Sequence, residues 1–571
     1  MRLYLLLILL LSCSHKVRIV APTAIEPRAA HEAMGSKEMV TTQGDATTRA
    51  ALTILGNGGN IIDAFVAASF TISVERPHST GLGGGGFLLY FSKAENKVYA
   101  FDFREIAPLA ARSNMYLDKK GEPQPLLSQE GGLAVANPGL VKGLFEIHQR
   151  FGKLPWKETL QPAIKLAREG LPLYEQLHEA LEETKPLLML DPEAKKTFYT
   201  KEGTTPLLGT LIFQENLAKT IEHIGEKGSD GFYKGKVADA IIKTIRGKRG
   251  MLTHKDLRTY KVVERTPVSG DYKGLKIFSM PPPSSGGIHV IQILKMLEPH
   301  DLKKMGPQSA EAVHLTANAM QRAFVDRASY LGDPDFNTIP VKGLIDPGYL
   351  KTLSQTINTE KAIKADALKA VKLPYESSDT THFTIADKDG NMVASTQTIN
   401  GWFGSGVMAQ GTGIMLNNEM DDFAQKIGAQ NLFGAVGGVY NLVEPRKRPL
   451  SSMSPTIITK NNEPFMALGS PSGTRIITCV AQTILNTVEF EMPLYESVAA
   501  TRIHQQWQPD ALKVESPFLD PKVEKALKEK GHTIVHEKLG CAIQAIQKIK
   551  GKWHGVSDPR GEGLALGTNL E

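Results

Sequence analysis

Thr380 follows Asp379 directly and precedes a run in which polar and apolar residues alternate. A threonine hydroxyl becomes a good nucleophile when a base takes its proton, and the free α-amine of an N-terminal threonine is one such base. An α-amine has a reference pKa of about 7.7 to 8.0, which suits this role near neutral pH. Because Thr380 is internal, the chemistry requires cleavage of the Asp379–Thr380 bond, most economically by attack of the same hydroxyl on the preceding carbonyl. Alternatively, Thr380 only opens a strand.

The elements around this threonine predict a mixed α/β chain. Residues 381–385 and 392–399 alternate on either side of a turn at residues 387–390, which indicates a β-hairpin. Residues 61–69 form an apolar run that is typical of a buried helix. Residues 81–86 satisfy G-x-G-x-x-G, but a dinucleotide site needs a strand before the motif and a helix after it. Here a strand pattern follows, so close backbone packing explains the glycines better.

Several polar clusters follow apolar runs and offer complementary chemistry. Carboxylates in residues 417–422 could hold an ammonium group, and hydroxyls in residues 448–455 could hold a carboxylate. Backbone N–H groups of the turn at residues 469–475 could form an oxyanion hole. Arg104 follows another short strand pattern at residues 98–103. Each feature alone is more typical of a capped turn or a surface residue.

Composition allows a large globular enzyme and excludes other classes. The chain has 571 residues, of which 41% are hydrophobic and 22% charged. Its formal charge of +6 comes from scattered lysines without the interleaved aromatic residues of nucleic-acid binders, so no nucleic-acid partner is expected. No Cys-x-x-Cys occurs and no His-x-x-x-His pattern carries a third ligand, so no metal is expected.

The first residues predict export. Arg2 precedes an apolar run at residues 3–11, which is too short to span a membrane and fits a signal peptide. Residues 10–13 resemble a bacterial lipobox, so we expect residues 1–12 to be removed and Cys13 to be lipidated. The alternative is an ordinary cleavage site near Ala21. Cys479 is expected to be a buried structural thiol, and the sequence leaves open whether it bonds Cys541.

Taken together and in this order, the motifs closely resemble those of gamma-glutamyltranspeptidases, members of the N-terminal-nucleophile hydrolase superfamily. The resemblance runs from about Ala30 to the end of the chain. The motifs that carry it are residues 58–60, 81–87, 281–287, 330–334 and 380–455.

The resemblance implies an α+β fold, a four-layer αββα N-terminal-nucleophile hydrolase sandwich formed jointly by a large subunit, residues 13–379, and a small subunit, residues 380–571. It implies that Thr380 cuts the precursor and then attacks the γ-glutamyl carbonyl, and that Thr398 hydrogen-bonds this nucleophile. It also implies groups that hold the donor. The α-carboxylate would be held by Arg104, Ser451 and Ser452, the α-amino group by Asn400, Glu419 and Asp422, and the oxyanion near Ser472 and Gly473.

Two positions depart from the family pattern. Ser472 replaces the first of two paired glycines, which is acceptable if its φ/ψ is tolerated, because the donors are backbone N–H groups. Phe433 stands where many bacterial members carry a lid tyrosine. The loss of the hydroxyl suggests a looser lid and more hydrolysis relative to transfer.

The resemblance therefore implies a cofactor-free gamma-glutamyltransferase and glutathione hydrolase. Its partners would be glutathione or another γ-glutamyl amide, and water or an amino acid or peptide as acceptor. Contact with a membrane would occur only through the N-terminal lipid, at a periplasmic site, with the outer membrane favoured over the inner. The alternatives are a cephalosporin-type acylase or polyglutamate-processing relative on the same scaffold, and a non-catalytic binding lipoprotein.

Overall fold

The computed structural model describes residues 31–365 and 380–569. The predicted signal segment at residues 1–12, the lipidation site Cys13 and the cleavage residue Asp379 lie outside the described residues. Within the two described ranges, no helix is long and apolar enough to cross a membrane. The same ranges contain no cluster of three or more His, Cys, Asp or Glu side chains placed to hold a metal ion.

The strands of the described residues are short and fall on both sides of Thr380. In chain order they are β1 (Glu32–Gly35), β2 (Met39–Thr42), β3 (Gly85–Ser92), β4 (Lys97–Asp102), β5 (Leu171–Pro172), β6 (Leu211–Ile212), β7 (Val263–Arg265), β8 (Val268–Tyr272), β9 (Leu275–Ser279), β10 (Thr381–Ala386), β11 (Met392–Thr398), β12 (Met408–Ala409), β13 (Ile414–Met415), β14 (Thr456–Lys460), β15 (Glu463–Gly469), β16 (Ile503–His504), β17 (Leu512–Val514), β18 (Ile534–His536), β19 (Gln544–Ile549), β20 (Lys552–Ser557) and β21 (Leu564–Gly567).

The helices of the described residues lie mostly in the part of the chain before Thr380. They are α1 (Asp45–Gly56), α2 (Ile61–Glu75), α3 (Leu126–Gln129), α4 (Leu140–Phe151), α5 (Trp156–Thr159), α6 (Gln161–Glu169), α7 (Glu175–Glu183), α8 (Lys185–Leu188), α9 (Pro192–Phe198), α10 (Glu215–Lys227), α11 (Asp230–Tyr233), α12 (Gly235–Gly247), α13 (His254–Arg258), α14 (Gly286–Leu297), α15 (Leu302–Met305), α16 (Ala310–Tyr330), α17 (Val341–Leu344), α18 (Pro347–Gln355), α19 (Arg475–Val488), α20 (Leu494–Ala499) and α21 (Pro521–Glu529).

Two seven-stranded antiparallel sheets form the centre of the molecule. Their strand orders are β1-β20-β19-β15-β14-β9-β8 and β21-β2-β10-β11-β3-β4-β7. Apolar side chains from both sheets share one core, in which Phe87 and Met392 of the second sheet join Ile457 and Leu468 of the first. Each sheet contains strands from before and after Thr380, so the two segments complete each other's sheets.

Helices cover the outer faces of both sheets. Helix α2 packs on the second sheet, where Phe65 and Phe383 have ring centroids 6.0 Å apart. All fifteen residues of α2 are buried, because the helix lies between the sheet and further helices. Asn60 caps it by accepting hydrogen bonds from the N–H groups of Ile62 and Asp63. Helices α14 and α19 cover the first sheet, so the layers confirm the predicted αββα sandwich.

The predicted hairpin after Thr380 is confirmed as β10 and β11. Their register pairs Thr381 with Gln397 and Ala386 with Met392. The run after the glycine-rich motif is strand β3, in which Gly85 pairs with Thr398. Thr380 and Thr398 therefore lie at the same end of the second sheet, close to the end of β4.

Candidate active site

A small cavity lies at this end of the sheets and brings together ten of the residues singled out from the sequence. We call it the threonine pocket. Those ten lining residues are Arg104, Thr380, Thr398, Asn400, Glu419, Asp422, Phe433, Ser451, Ser452 and Gly473. Ser472 does not line the cavity itself, although its neighbour Gly473 does. Further lining residues are Arg327, Asn431, Ala435, Met453, Thr474 and Ile476.

Thr380 sits directly before β10 with only 5% of its surface exposed. Thr398 ends β11, and its Oγ1 accepts a hydrogen bond of 2.8 Å from the backbone N–H of Asn400. A hydroxyl that accepts one hydrogen bond keeps its own proton to donate. Asn400 has φ of +73°, a region in which asparagine is tolerated, and its Nδ2 donates to the carbonyl of Asn418 over 3.0 Å.

Arg104 forms the centre of a buried charge cluster. Its guanidinium makes ion pairs with Glu419 and Asp422, and it lies 3.9 Å from the carboxylate of Glu105. Burial would lower the pKa of Arg104, but the three carboxylates outweigh it and raise that pKa. A guanidinium next to paired carboxylates offers recognition for both ends of an amino-acid head group.

Glu105 is a member of this cluster that the sequence reasoning missed. Its side chain is fully buried, and burial raises the pKa of its carboxyl to about 7 although Arg104 opposes the shift. Burial also raises the pKa of Glu419, with Arg104 opposing and Glu105 contributing. Because the carboxylates of Glu105 and Glu419 are like charges next to each other, the two together favour retention of one proton near neutral pH. In the sequence, the only signal that pointed to Glu105 was its position directly after Arg104.

Arg327, on α16, is a second buried guanidinium that the sequence did not single out. Its Nε donates to Ser285 Oγ over 3.1 Å, and a terminal nitrogen donates to Ser452 Oγ over 3.2 Å. Burial, reinforced by the charge of Arg104, lowers its pKa to about 10 although Asp422 opposes. Only its position three residues before the motif at residues 330–334 could have drawn attention to it.

The serine pair rests on the segment at residues 281–287. The N–H of Ser451 donates to the carbonyl of Pro283 over 2.8 Å. The Ser451 carbonyl accepts from both the backbone N–H and the Oγ of Ser285, over 2.8 and 2.9 Å. This segment was noted in the sequence as a motif without a role, and it fixes the backbone that presents Ser451 and Ser452 to the pocket.

The turn at Ser472 and Gly473 leads directly into α19. Ser472 has φ of +100° and Gly473 has φ of +51°. Serine therefore occupies a conformation that strongly favours glycine, at a cost of about 1–3 kcal/mol. The Ser472 side chain is fully buried, and its Oγ donates to the carbonyl of Leu539 over 2.5 Å. The start of a helix adds partial positive charge, which suits a site that stabilises an oxyanion.

Phe433 closes the pocket opposite Gly473. A Cβ placed on Gly473 would lie 2.5 Å from Cδ1 of the Phe433 ring, which shows how closely the ring covers the turn. Two aspartates anchor the segment. Asp421 accepts from the N–H of Leu432, and Asp422 accepts from Nδ2 of Asn431, each over 2.6 Å. The proposed looseness of this lid stays a prediction.

The cysteines correct one expectation. Cys479 is not a thiol but forms a disulfide with Cys541, with the two Cα atoms 6.6 Å apart. Cys479 lies on α19 and Cys541 precedes β19. Because 62 residues separate them in the sequence, no local pattern indicated that they lie close together.

Comparison with known proteins agrees with this geometry. A family model described as Gamma-glutamyltranspeptidase matches residues 47–568. The glutathione hydrolase proenzyme of Escherichia coli (strain K12) is 42% identical over 538 residues, covering 94% of this chain and 92% of that protein.

Two solved structures share the architecture. The cephalosporin acylase from Bacillus halodurans superposes with a TM-score of 0.83 at 26% identity, covering 96% of this chain and 99% of that one. The Helicobacter pylori gamma-glutamyltranspeptidase gives a TM-score of 0.56 at 39% identity, covering 57% of this chain and 93% of the matched chain.

Proposed function

Because this chain belongs to the gamma-glutamyltranspeptidase family, we propose that it is a glutathione hydrolase and gamma-glutamyltransferase with Thr380 as its nucleophile. The Thr380 hydroxyl attacks the γ-carbonyl of glutathione or a related amide, and its proton passes through the α-amine to the departing amine. The resulting ester is then cleaved by water, which releases glutamate, or by an amino acid or peptide amine, which takes the γ-glutamyl group.

One observation carries this proposal. The threonine pocket holds Thr380, the cluster of Arg104 with Glu419 and Asp422, and the turn at Gly473. A zwitterionic head group offers its carboxylate to Arg104 and its ammonium to the carboxylates that now pair with this arginine. One set of ion pairs is thereby exchanged for another, and no charge is left buried without a partner.

The nucleophile requires maturation of the chain. Attack of the Thr380 hydroxyl on the Asp379 carbonyl converts the peptide bond to an ester, and hydrolysis of that ester frees the α-amine. A large subunit ending at Asp379 and a small subunit beginning at Thr380 result. The relative in Escherichia coli is named a proenzyme, which supports this step. After the cut, pairing of β10 with β2 keeps the pieces together.

The acylase alternative has support from the likeness to the cephalosporin acylase. An acyl group without an α-amine would leave Glu419 and Asp422 without their cationic ligand once a carboxylate binds Arg104. A γ-glutamyl anilide and a glutaryl anilide separate the two functions, because they differ only in that amine. We expect the γ-glutamyl compound to be preferred at least tenfold in kcat/KM, and a preference for the glutaryl compound would favour the acylase.

Intact mass and a denaturing gel test the maturation. The wild-type chain of 62.3 kDa should separate into pieces of about two thirds and one third of its mass. Thr380→Ala should remain whole and inactive, and Thr380→Ser, which keeps a hydroxyl, is the matched control that should still be cut. A wild-type protein that stays whole and releases no product would support the non-catalytic alternative.

We also propose that the mature chain begins at a lipidated Cys13 and sits in the periplasm, anchored to a membrane. The apolar residues 3–11 and the lipobox at residues 10–13 support this. The Cys479–Cys541 disulfide supports an oxidising compartment. Labelling with radioactive palmitate should mark the wild-type chain and not Cys13→Ala, and membrane fractionation should release that variant. A wild-type chain without label would reject the anchor, and labelling of both proteins would reject Cys13 as its site.

A further inference from the structure

We infer that the Cys479–Cys541 disulfide, acting through the carbonyl of Leu539, positions the Ser472–Gly473 turn for catalysis. The inference rests on the proposed function of the threonine pocket. It assigns positioning roles to residues that do not touch the donor.

The turn needs external support because of its sequence. At φ of +100°, Ser472 adopts a backbone conformation that L side chains rarely take. Its buried hydroxyl also needs an acceptor, since an unsatisfied buried hydroxyl is unfavourable. The Leu539 carbonyl supplies that acceptor over 2.5 Å. The hydrogen bond to Leu539 therefore helps to hold Ser472 in its strained backbone conformation, and that conformation in turn directs the hydroxyl toward Leu539.

The segment that carries Leu539 is itself held on both sides. The N–H groups of Leu539 and Gly540 donate to the same oxygen of Glu515, over 2.8 and 3.3 Å. Two residues after Leu539, Cys541 bonds covalently to Cys479. Cys479 lies on α19, the helix that begins immediately after the turn.

These contacts close a short ring. It runs from Ser472 along the first turn of α19 to Cys479, across the disulfide to Cys541, back to Leu539, and through the hydrogen bond to Ser472. Without the disulfide, residues 539–541 keep only non-covalent contacts, such as the hydrogen bonds to Glu515, and can shift relative to α19. Ser472 then loses its acceptor, and the backbone N–H groups near Gly473 shift from the position that suits the oxyanion.

The expected kinetic signature is a loss of kcat with little change in KM. The turn acts on the transition state, whereas the head-group residues Arg104 and Ser451 lie on other elements. Since loss of one oxyanion donor costs about 10²–10³ in kcat, a displaced turn should cost about tenfold or more. A disulfide that only stabilised the fold would lower Tm and leave kcat at 25 °C unchanged.

A variant cycle tests the inference. The proteins are wild type, Cys479→Ala/Cys541→Ala, Ser472→Gly, and the triple variant, assayed with a γ-glutamyl anilide after maturation. Glycine tolerates φ of +100° and carries no hydroxyl to satisfy. Loss of the disulfide should therefore reduce kcat about tenfold in the serine background and less than threefold in the glycine background. Tm should fall similarly in both.

Equal loss of kcat in both backgrounds, or no loss in either, would overturn the inference. A readout independent of activity is hydrogen exchange in a peptide covering residues 470–476. Exchange there should rise without the disulfide in the serine background and stay constant in the glycine background. If the alanine variant fails to fold, wild type reduced with a phosphine and alkylated takes its place. Unchanged exchange rejects the inference, whereas changed exchange in a protein with no activity rejects the proposed function instead.

Discussion

Replacing Gly473 by alanine adds one methyl group to the turn that we assign to the oxyanion. Gly473 has φ of +51°, in the left-handed region. The new Cβ would lie 2.5 Å from Cδ1 and 2.7 Å from Cγ of Phe433, whereas ordinary contact begins at 3.4 Å. Cδ1 and Cγ lie near the attachment point of the Phe433 ring, where a side-chain rotation moves them little. Either the lid that carries Phe433 or the turn itself must therefore move by nearly 1 Å.

The two costs can be estimated separately. The left-handed conformation costs a non-glycine residue about 1–2 kcal/mol. If the turn moves, one oxyanion donor is displaced, and kcat should fall by about 10²–10³. KM should change much less, because Arg104 and the serine pair are untouched. Steady-state kinetics with a γ-glutamyl anilide would give both values.

Two further variants make the test specific. Gly411→Ala is the matched control, because Gly411 has φ of +71° but no atom within 4 Å of the point that a Cβ would occupy, and it lies outside the pocket. It should cost stability without loss of kcat. Phe433→Leu in the Gly473→Ala background should recover part of kcat by relieving the overlap. If Gly473→Ala kept kcat within threefold of wild type, the assigned role of this turn would be wrong.

Three further predictions concern the rest of the pocket. Arg327→Met should raise KM about tenfold with kcat within threefold, because Ser452 loses a charged donor, and Arg327→Lys should lose less; an unchanged KM for both would contradict this role. Phe433→Tyr should raise the ratio of transfer to hydrolysis, measured by product analysis with glycylglycine as acceptor, and an unchanged ratio would reject the lid hypothesis. Burial raises the pKa of Asp421 to about 6 from 3.8. As the pH rises from 3.8 to 6, the unfolded chain therefore loses this proton before the folded protein does, which lowers the free energy of unfolding. Relative to Asp421→Asn, which cannot titrate, the wild-type protein should therefore lose about 2 kcal/mol of unfolding free energy between pH 4 and pH 7, most of it below pH 6. Urea unfolding in the uncleaved Thr380→Ala background measures this difference, and a difference independent of pH would contradict the buried-carboxylate argument.

Local patterns predicted the elements near the nucleophile well. Alternation of polar and apolar residues gave the hairpin of β10 and β11, whose observed bounds differ from the predicted runs by one residue. The glycine-rich motif was correctly separated from a dinucleotide site, because the chain enters β3 rather than a helix. These signals depend on near neighbours in the chain, which is why sequence alone contains them.

Features that depend on tertiary contacts were not predictable in this way. Arg327 reaches Ser452 across 125 positions, and Cys479 reaches Cys541 across 62. Because Ser472 replaces a glycine of the family pattern, the sequence raised the question of whether its backbone conformation is tolerated. Only the structure shows that its φ is positive. Resemblance to the family supplied the predicted fold and the predicted residue roles, whereas the residues that support those groups became visible only in the structure.

The charges of the threonine pocket explain why a zwitterion is the fitting ligand. Arg104 and Arg327 bring two positive charges, and Glu419 and Asp422 bring two carboxyl groups. A third carboxyl group, that of Glu105, lies 3.9 Å from Arg104 just outside the pocket lining. Burial raises the pKa of Glu105 and of Glu419, so a proton held between them brings the cluster close to neutrality. A γ-glutamyl donor adds one charge of each sign and preserves this balance. A glutaryl donor adds only a negative charge, so discrimination between the two arises from the pocket as a whole, beyond any single contact to the amine.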